Sequence, residues 1–161
     1  MRHSLAASLL EAGLANDEER PLTPAGEERA RVMGRALKML GITPEEIWSS
    51  PVLRAKQTAQ LVATELGEPF LLDFRDVLKP GMSAAGFWQC IQQNPFSSLI
   101  VVGHQPDLGN AVSFLLWDLI GGSFAIDPGV VACLNLPSFP SRDKARLEFL
   151  LSPELAEKIL R

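Results

Sequence analysis

Leu99-Ile100-Val101-Val102, running straight into Gly103-His104-Gln105-Pro106, is the stretch that most narrows what this chain can fold into. Unbroken apolar sequence with three β-branched residues describes a strand covered on both faces, because a strand wet on one side alternates. An apolar helical segment follows through Phe114, Leu115 and Leu116, so a buried strand turns directly into a helix. Strands covered on both sides and joined to helices belong in a parallel sheet. The predicted fold class is α/β, a sandwich around a mostly parallel central sheet.

The remaining patterns keep that rhythm. Thr23-Pro24 reads as an N-cap with proline in the first helical turn; Ala30, Met33, Leu37 and Leu40 follow at helical spacing, and Gly41 stops the helix. A short strand is predicted around Ile47-Trp48. A helix from Pro51 has Ala55, Ala59, Val62 and Leu66 inward and Gly67 at its end. Phe70-Leu71-Leu72 reads as a strand, and Ser83 caps a helix carrying Phe87, Trp88 and Ile91. Strands near Val130–Leu136 and Leu147–Leu151 are close enough in sequence to pair antiparallel, and a last helix is expected from Pro153.

A chain of 161 residues with no repeat or linker is expected to form one domain over residues 1–161. Net charge of −4, with basic residues scattered, predicts no nucleic-acid partner, so any anion site must be a local arrangement. Glu11 interrupts the apolar stretch after Met1 and no run reaches membrane-spanning length, which predicts a soluble, cytoplasmic protein without membrane contact. Cys90 and Cys133 lie far apart without metal-type spacing and are expected to be buried, reduced thiols. Phe114, Leu115, Leu116 and Trp117 are expected in the core.

The chain has only two histidines. His3 follows Arg2 at the amino end, and His104 stands where the best strand ends. Ser49-Ser50-Pro51-Val52-Leu53-Arg54 puts Arg54 in the first turn of a helix after another strand. In open α/β sheets ligands bind beyond the carboxyl ends of strands, and both corners are such places. If the corners converge, two imidazoles and two guanidiniums surround one point. That grouping suits a phosphoryl group, which needs planar bidentate donors and a neutral ring nitrogen in line with phosphorus. Two histidines without a carboxylate cluster make poor metal ligation, so neither metal nor cofactor is expected.

Arg2-His3, Arg20-Pro21-Leu22-Thr23 with Gly26, Ser49-Ser50-Pro51-Val52-Leu53-Arg54-Ala55-Lys56-Gln57-Thr58 and Val102-Gly103-His104-Gln105-Pro106, in this order, resemble the histidine phosphatase superfamily. Within it the chain is similar to the short SixA-type phosphohistidine phosphatases. The resemblance implies a phosphoglycerate mutase-like three-layer α/β/α sandwich. It implies that His3 is the nucleophile that becomes phosphohistidine, that Arg2 and Arg54 grip the phosphoryl oxygens, and that His104 hydrogen-bonds them as charge develops. Arg20 and Asp17 fall on the substrate-binding side. For the general acid, Asp76 and Asp17 are the two candidates.

In the family a short apolar strand precedes the Arg-His pair. Here Met1 stands directly before Arg2, so the first strand reads as truncated. Its loss is expected to expose neighbouring ladder groups and loosen the loop carrying His3. Between the Arg54 helix and Gly103 there is room for only one helix as a cap. The open pocket this implies suits a phosphohistidine presented by another protein. The alternatives are a phosphomonoesterase for a small phosphorylated metabolite and a non-catalytic phosphate- or phosphoprotein-binding module.

Overall fold

The computed structural model describes residues 1–94, 96–122, 124–137 and 145–161. In chain order the elements are α1 (Leu9–Ala12), α2 (Pro24–Met39), β1 (Glu46–Ser49), α3 (Leu53–Leu66), β2 (Leu72–Phe74), α4 (Ala84–Gln92), β3 (Leu99–Val102), α5 (Asp107–Trp117), β4 (Val131–Asn135), β5 (Arg146–Leu151) and α6 (Pro153–Ile159). β1 lies between β2 and β3, parallel to both, with Ile47 opposite Leu72 and Ile100. β4 and β5 pair antiparallel, Val131 opposite Leu151, with an irregularity between Cys133 and Leu134.

Met1 to His3 lie between the two groups of strands. The Met1 amino group donates to the Val101 carbonyl at 2.7 Å, Gly103 N–H donates to the Met1 carbonyl at 3.2 Å, and His3 N–H donates to the Gly103 carbonyl at 2.9 Å. On the other side Arg2 N–H donates to the Val130 carbonyl at 3.2 Å.

Alternation along β1 divides the core. Ile47 points into a cluster with Met33, Leu37, Ala55, Ala59 and Val62 from α2 and α3, joined by Ala156 of α6. Trp48 points the other way, into a cluster with Phe87, Trp88 and Ile91 of α4 and Leu108, Val112 and Leu116 of α5. Helices therefore cover both faces of a mostly parallel sheet, the α/β architecture read from the sequence.

Several local expectations hold. The Thr23 side chain accepts from Gly26 N–H at the start of α2, and Ser83 does the same for Gly86 at α4. Ala55, Ala59, Val62 and Leu66 are all buried. Others need correction. Pro51 does not open α3; Val52 is its N-cap. Pro69–Leu71 form a tight turn that displaces β2 toward Leu72–Phe74 and leaves Phe70 exposed. Leu40 and Trp117 are exposed at the ends of their helices, Phe114 and Leu115 are half-buried, and so are Cys90 and Cys133, both free thiols.

The main correction concerns β3. Leu99, Ile100 and Val101 are half-buried, although their sequence describes full burial. β3 pairs with β1 on one side; on the other, among the described residues, it meets Met1 to His3 at its carboxyl end. Behind Met1 an apolar slot of about 520 Å³ opens between β3 and β4, walled by Leu99–Val101 and Val131–Leu136. The slot lies where the sequence reading expects exposed ladder groups. The segment carrying His3 is bonded on both sides, through backbone bonds to Gly103 and Val130.

Candidate active site

Three strand-to-helix corners meet at one end of the sheet. α3 follows β1 and carries Arg54 in its first turn; His104 follows β3; His3 ends the extended amino-terminal piece between β3 and β4. α3 also fixes what surrounds His3. Thr58 Oγ1 accepts from Ser4 N–H at 3.0 Å while donating to the Arg54 carbonyl at 2.7 Å. Gln57 Oε1 accepts from Leu22 N–H at 2.8 Å, tying the segment before α2 to the same helix. His3, Arg54 and His104 are buried.

Hydrogen bonds set the state of each ring. His3 Nδ1 lies 2.8 Å from the Ser4 carbonyl, which only accepts, so Nδ1 carries the proton and Nε2 keeps its lone pair. Arg54 Nε–H points at that lone pair from 3.3 Å. The His104 ring stands 5.3 Å from that of His3, tilted by 57°. His104 Nε2 is 2.9 Å from Ser50 Oγ, which accepts from Val52 N–H at 3.3 Å. The Ser50 hydroxyl keeps one proton to give and one further lone pair, so it pairs with His104 Nε2 in either tautomer of the ring. Nδ1 is buried with no hydrogen-bond partner among the described residues.

Two guanidiniums and two imidazoles are close enough to shift one another's ionisation. Burial pulls the His3 pKa down to about 4 against the Ser4 carbonyl, with Arg54, Arg2 and Arg20 pulling further. Burial first, then His3 and Arg54, pull His104 down to about 3. Both rings are neutral at pH 7. The Arg2 guanidinium donates to the Ile126 carbonyl at 3.1 Å, while its Nε is buried without a partner among the described residues. Its pKa is lowered by burial, against the pull of Asp127.

One carboxylate enters the group. Asp17 Oδ2 accepts from Arg54 Nη2 at 2.9 Å, Asp17 Oδ1 from Arg20 Nε at 2.7 Å, and the Asp17 carbonyl from Arg54 Nη1 at 2.7 Å. Partial burial would raise its pKa, but Arg54 and Arg20 outweigh that and hold the carboxyl below its usual range. Arg20 also donates to the Ala7 carbonyl at 3.0 Å, so the first loop is stitched to itself around Asp17.

Of the residues singled out in the sequence, Arg2, His3, Arg54 and His104 converge, and Asp17 and Arg20 join them through Arg54. Asp76 stands apart: its carboxylate is 83% exposed and pairs with Lys79 at 2.9 Å. The turn that follows it is nonetheless docked on the His104 corner, since Gly81 N–H donates to Asp107 Oδ2 at 2.8 Å. Ser50, Gln57 and Thr58 were visible in the sequence without a role. Each turns out to hold a backbone or ring group of the site, a function that spacing alone does not reveal.

A neutral imidazole lone pair beside guanidinium N–H groups and a second ring with an unpartnered nitrogen is equipped to meet an electrophilic centre bearing negative oxygens. It is poorly suited to a cation, which the guanidiniums would repel.

Comparison with known proteins agrees with this chemistry. Residues 1–75 match the family described as the histidine phosphatase superfamily (branch 1). An uncharacterized protein of Picosynechococcus sp. is 43% identical over 112 residues, 67% of this chain and 66% of that protein. The phosphohistidine phosphatase SixA of Escherichia coli is 34% identical over 119 residues, 71% of each chain. The matched stretch thus spans about two thirds of the length of these relatives. Among solved structures, the protein histidine phosphatase SixA complexed with tungstate superposes with a TM-score of 0.77 at 27% identity, covering 95% of this chain and 94% of that one.

Proposed function

The chain belongs to the histidine phosphatase superfamily, and on that premise we propose that it is a metal-independent phosphohistidine phosphatase working through a covalent intermediate on His3. The observation that carries this reading is the His3 ring. Its Nδ1–H is spent on the Ser4 carbonyl, and its Nε2 lone pair is turned toward Arg54 in a buried pocket.

In the proposed reaction His3 Nε2 attacks phosphorus in line with the bond to the leaving group. A phosphorus–nitrogen bond forms on His3 as the substrate's own phosphorus–nitrogen bond breaks, and the departing imidazole keeps the electron pair and a proton. Water then attacks the phosphoenzyme, loses a proton and releases inorganic phosphate, returning the lone pair to Nε2. Arg2 and Arg54 hold the phosphoryl oxygens, and the unpartnered His104 Nδ1 is a donor for the oxygen that gains charge. A protonated imidazole departs readily, which suits a site whose two candidate acids are poorly placed for strong acid catalysis: Asp76 is bound to Lys79 and Asp17 is held ionised.

Incubation with a phosphohistidine protein, acid- and alkali-quenched on a millisecond scale, tests this directly. An acid-labile, alkali-stable phosphate should appear on the wild-type chain and map to His3, and His3→Ala should lose both it and turnover. Activity should persist in excess chelator. Faster turnover of metabolite phosphomonoesters than of phosphohistidine would replace the proposed substrate class with small phosphorylated metabolites.

A further inference from the structure

We propose that Asp17 is a built-in competitor for the phosphoryl site, an internal anion that must be displaced before a phosphate can be gripped. The proposal rests on the reading of the pocket as a phosphoryl site. All three guanidinium nitrogens of Arg54 are engaged within the chain: Nε with His3, Nη1 with the Asp17 carbonyl and Nη2 with the Asp17 carboxylate. The second oxygen of that carboxylate takes Arg20 Nε at 2.7 Å. Asp17 thus spans two cations in the way a phosphoryl group would.

The carboxylate is also placed to leave. Its side chain is 54% exposed, whereas Arg54 is 6% exposed, so the fixed partner is the arginine and the movable one is the acid. Asp17 sits in a three-residue turn, Asp17–Glu19, capped by the Asn16 side chain at one end and by the Arg20 backbone N–H at the other, neither of which uses the Asp17 carboxylate. Withdrawal of the carboxylate would leave that turn's own hydrogen bonds in place. An incoming phosphoryl group with more charge and more acceptor oxygens replaces it on Arg54 Nη2 and Arg20. Displacing Asp17 costs part of any anion's binding energy, so free inorganic phosphate binds more weakly than it would to an unoccupied Arg54, and a substrate gains by adding contacts elsewhere.

Glu18 separates displacement from mere charge. It is the next residue along, also an exposed acid, and it makes no ion pair with Arg54 among the described residues. The test is calorimetric titration of the whole chain with inorganic phosphate and, separately, tungstate. Wild type should bind phosphate weakly, Asp17→Asn and Asp17→Ser about five- to tenfold more tightly, as loss of a competing ion pair predicts, and Glu18→Gln within about twofold of wild type. Equal tightening by Glu18→Gln, or unchanged or weaker binding by both Asp17 variants while wild type binds, overturns the competitor role and leaves the phosphoryl pocket standing. Failure of every form, including wild type, to bind either anion overturns the pocket reading and this role with it.

Discussion

His3 and His104 are alike in type and burial, but their hydrogen bonds make them different tools. The main chain next to His3 fixes its tautomer, whereas a side chain from another corner, Ser50, holds the His104 ring in place. Replacement of Ser50 by alanine leaves a buried ring nitrogen without its partner, at a cost of about 1–3 kcal/mol. It also frees His104 to turn. Ser50→Ala should therefore slow phosphoenzyme formation by about ten- to a hundredfold, as loss of an oriented donor does. Ser50→Thr, which keeps the hydroxyl, should restore most of the rate. Equal rates for Ser50→Ala and wild type, measured well below the melting temperature, would remove Ser50 from the site. The residues that converge were legible because two histidines and a strand-to-helix arginine are conspicuous in sequence. The holders were not: Ser50, Gln57 and Thr58 act through pairings 35 to 54 residues distant along the chain, and no local pattern encodes those.

At the level of elements, strands and helices were legible to the extent that burial follows from apolar pattern. β3 shows where this fails. Its pattern describes a strand covered on both faces, yet from Val101 back to Leu99 one edge opens on the slot between β3 and β4. Short-range signals also went unused: Ser8 and Glu11 form a complete capping box for α1, whereas only the apolar character of that stretch entered the sequence reading. The slot is a test of the balance between apolar burial and strand pairing. A variant with about five apolar, β-branched residues placed ahead of Met1 would run back along Val101 toward Leu99 and fill it. It would also turn the Met1 amino group, whose pKa burial pulls down to about 5, into a peptide N–H that keeps the bond to Val101. Relief of that amine alone is worth roughly 1 kcal/mol at pH 7. The extended form should melt at least about 5 °C higher and turn over faster, with identical melting temperature and turnover in both forms counting against an open slot.

Over the whole molecule, a net charge of −4 surrounds a pocket built for an anion, so the site's own ionisation stands out in the acid response. Burial lowers three basic groups in the folded state: the Met1 amine to about 5, His3 to about 4 and His104 to about 3. In the unfolded chain they take up protons near pH 8 and near pH 6.5. The unfolded state therefore binds more protons over each interval, and stability rises with pH there; read downward, it falls as pH drops. The amine begins the loss below pH 8, and the two histidines dominate between about pH 6.5 and pH 4, each removing roughly 2 kcal/mol by pH 4.5. Urea midpoints taken at pH 7.5, 6, 5 and 4.5 should fall steadily, well before carboxylate protonation takes over. A double variant, His3→Gln with His104→Gln, should flatten most of the slope below pH 6.5. Added phosphate should do the opposite of acid for wild type, because an anion beside the rings favours their protonated forms and returns the stability that burial had withheld. A midpoint that stays level from pH 7.5 to 5, or a slope untouched in the double variant, would mean that the rings are solvated rather than buried together, and a shared phosphoryl pocket would lose its physical basis.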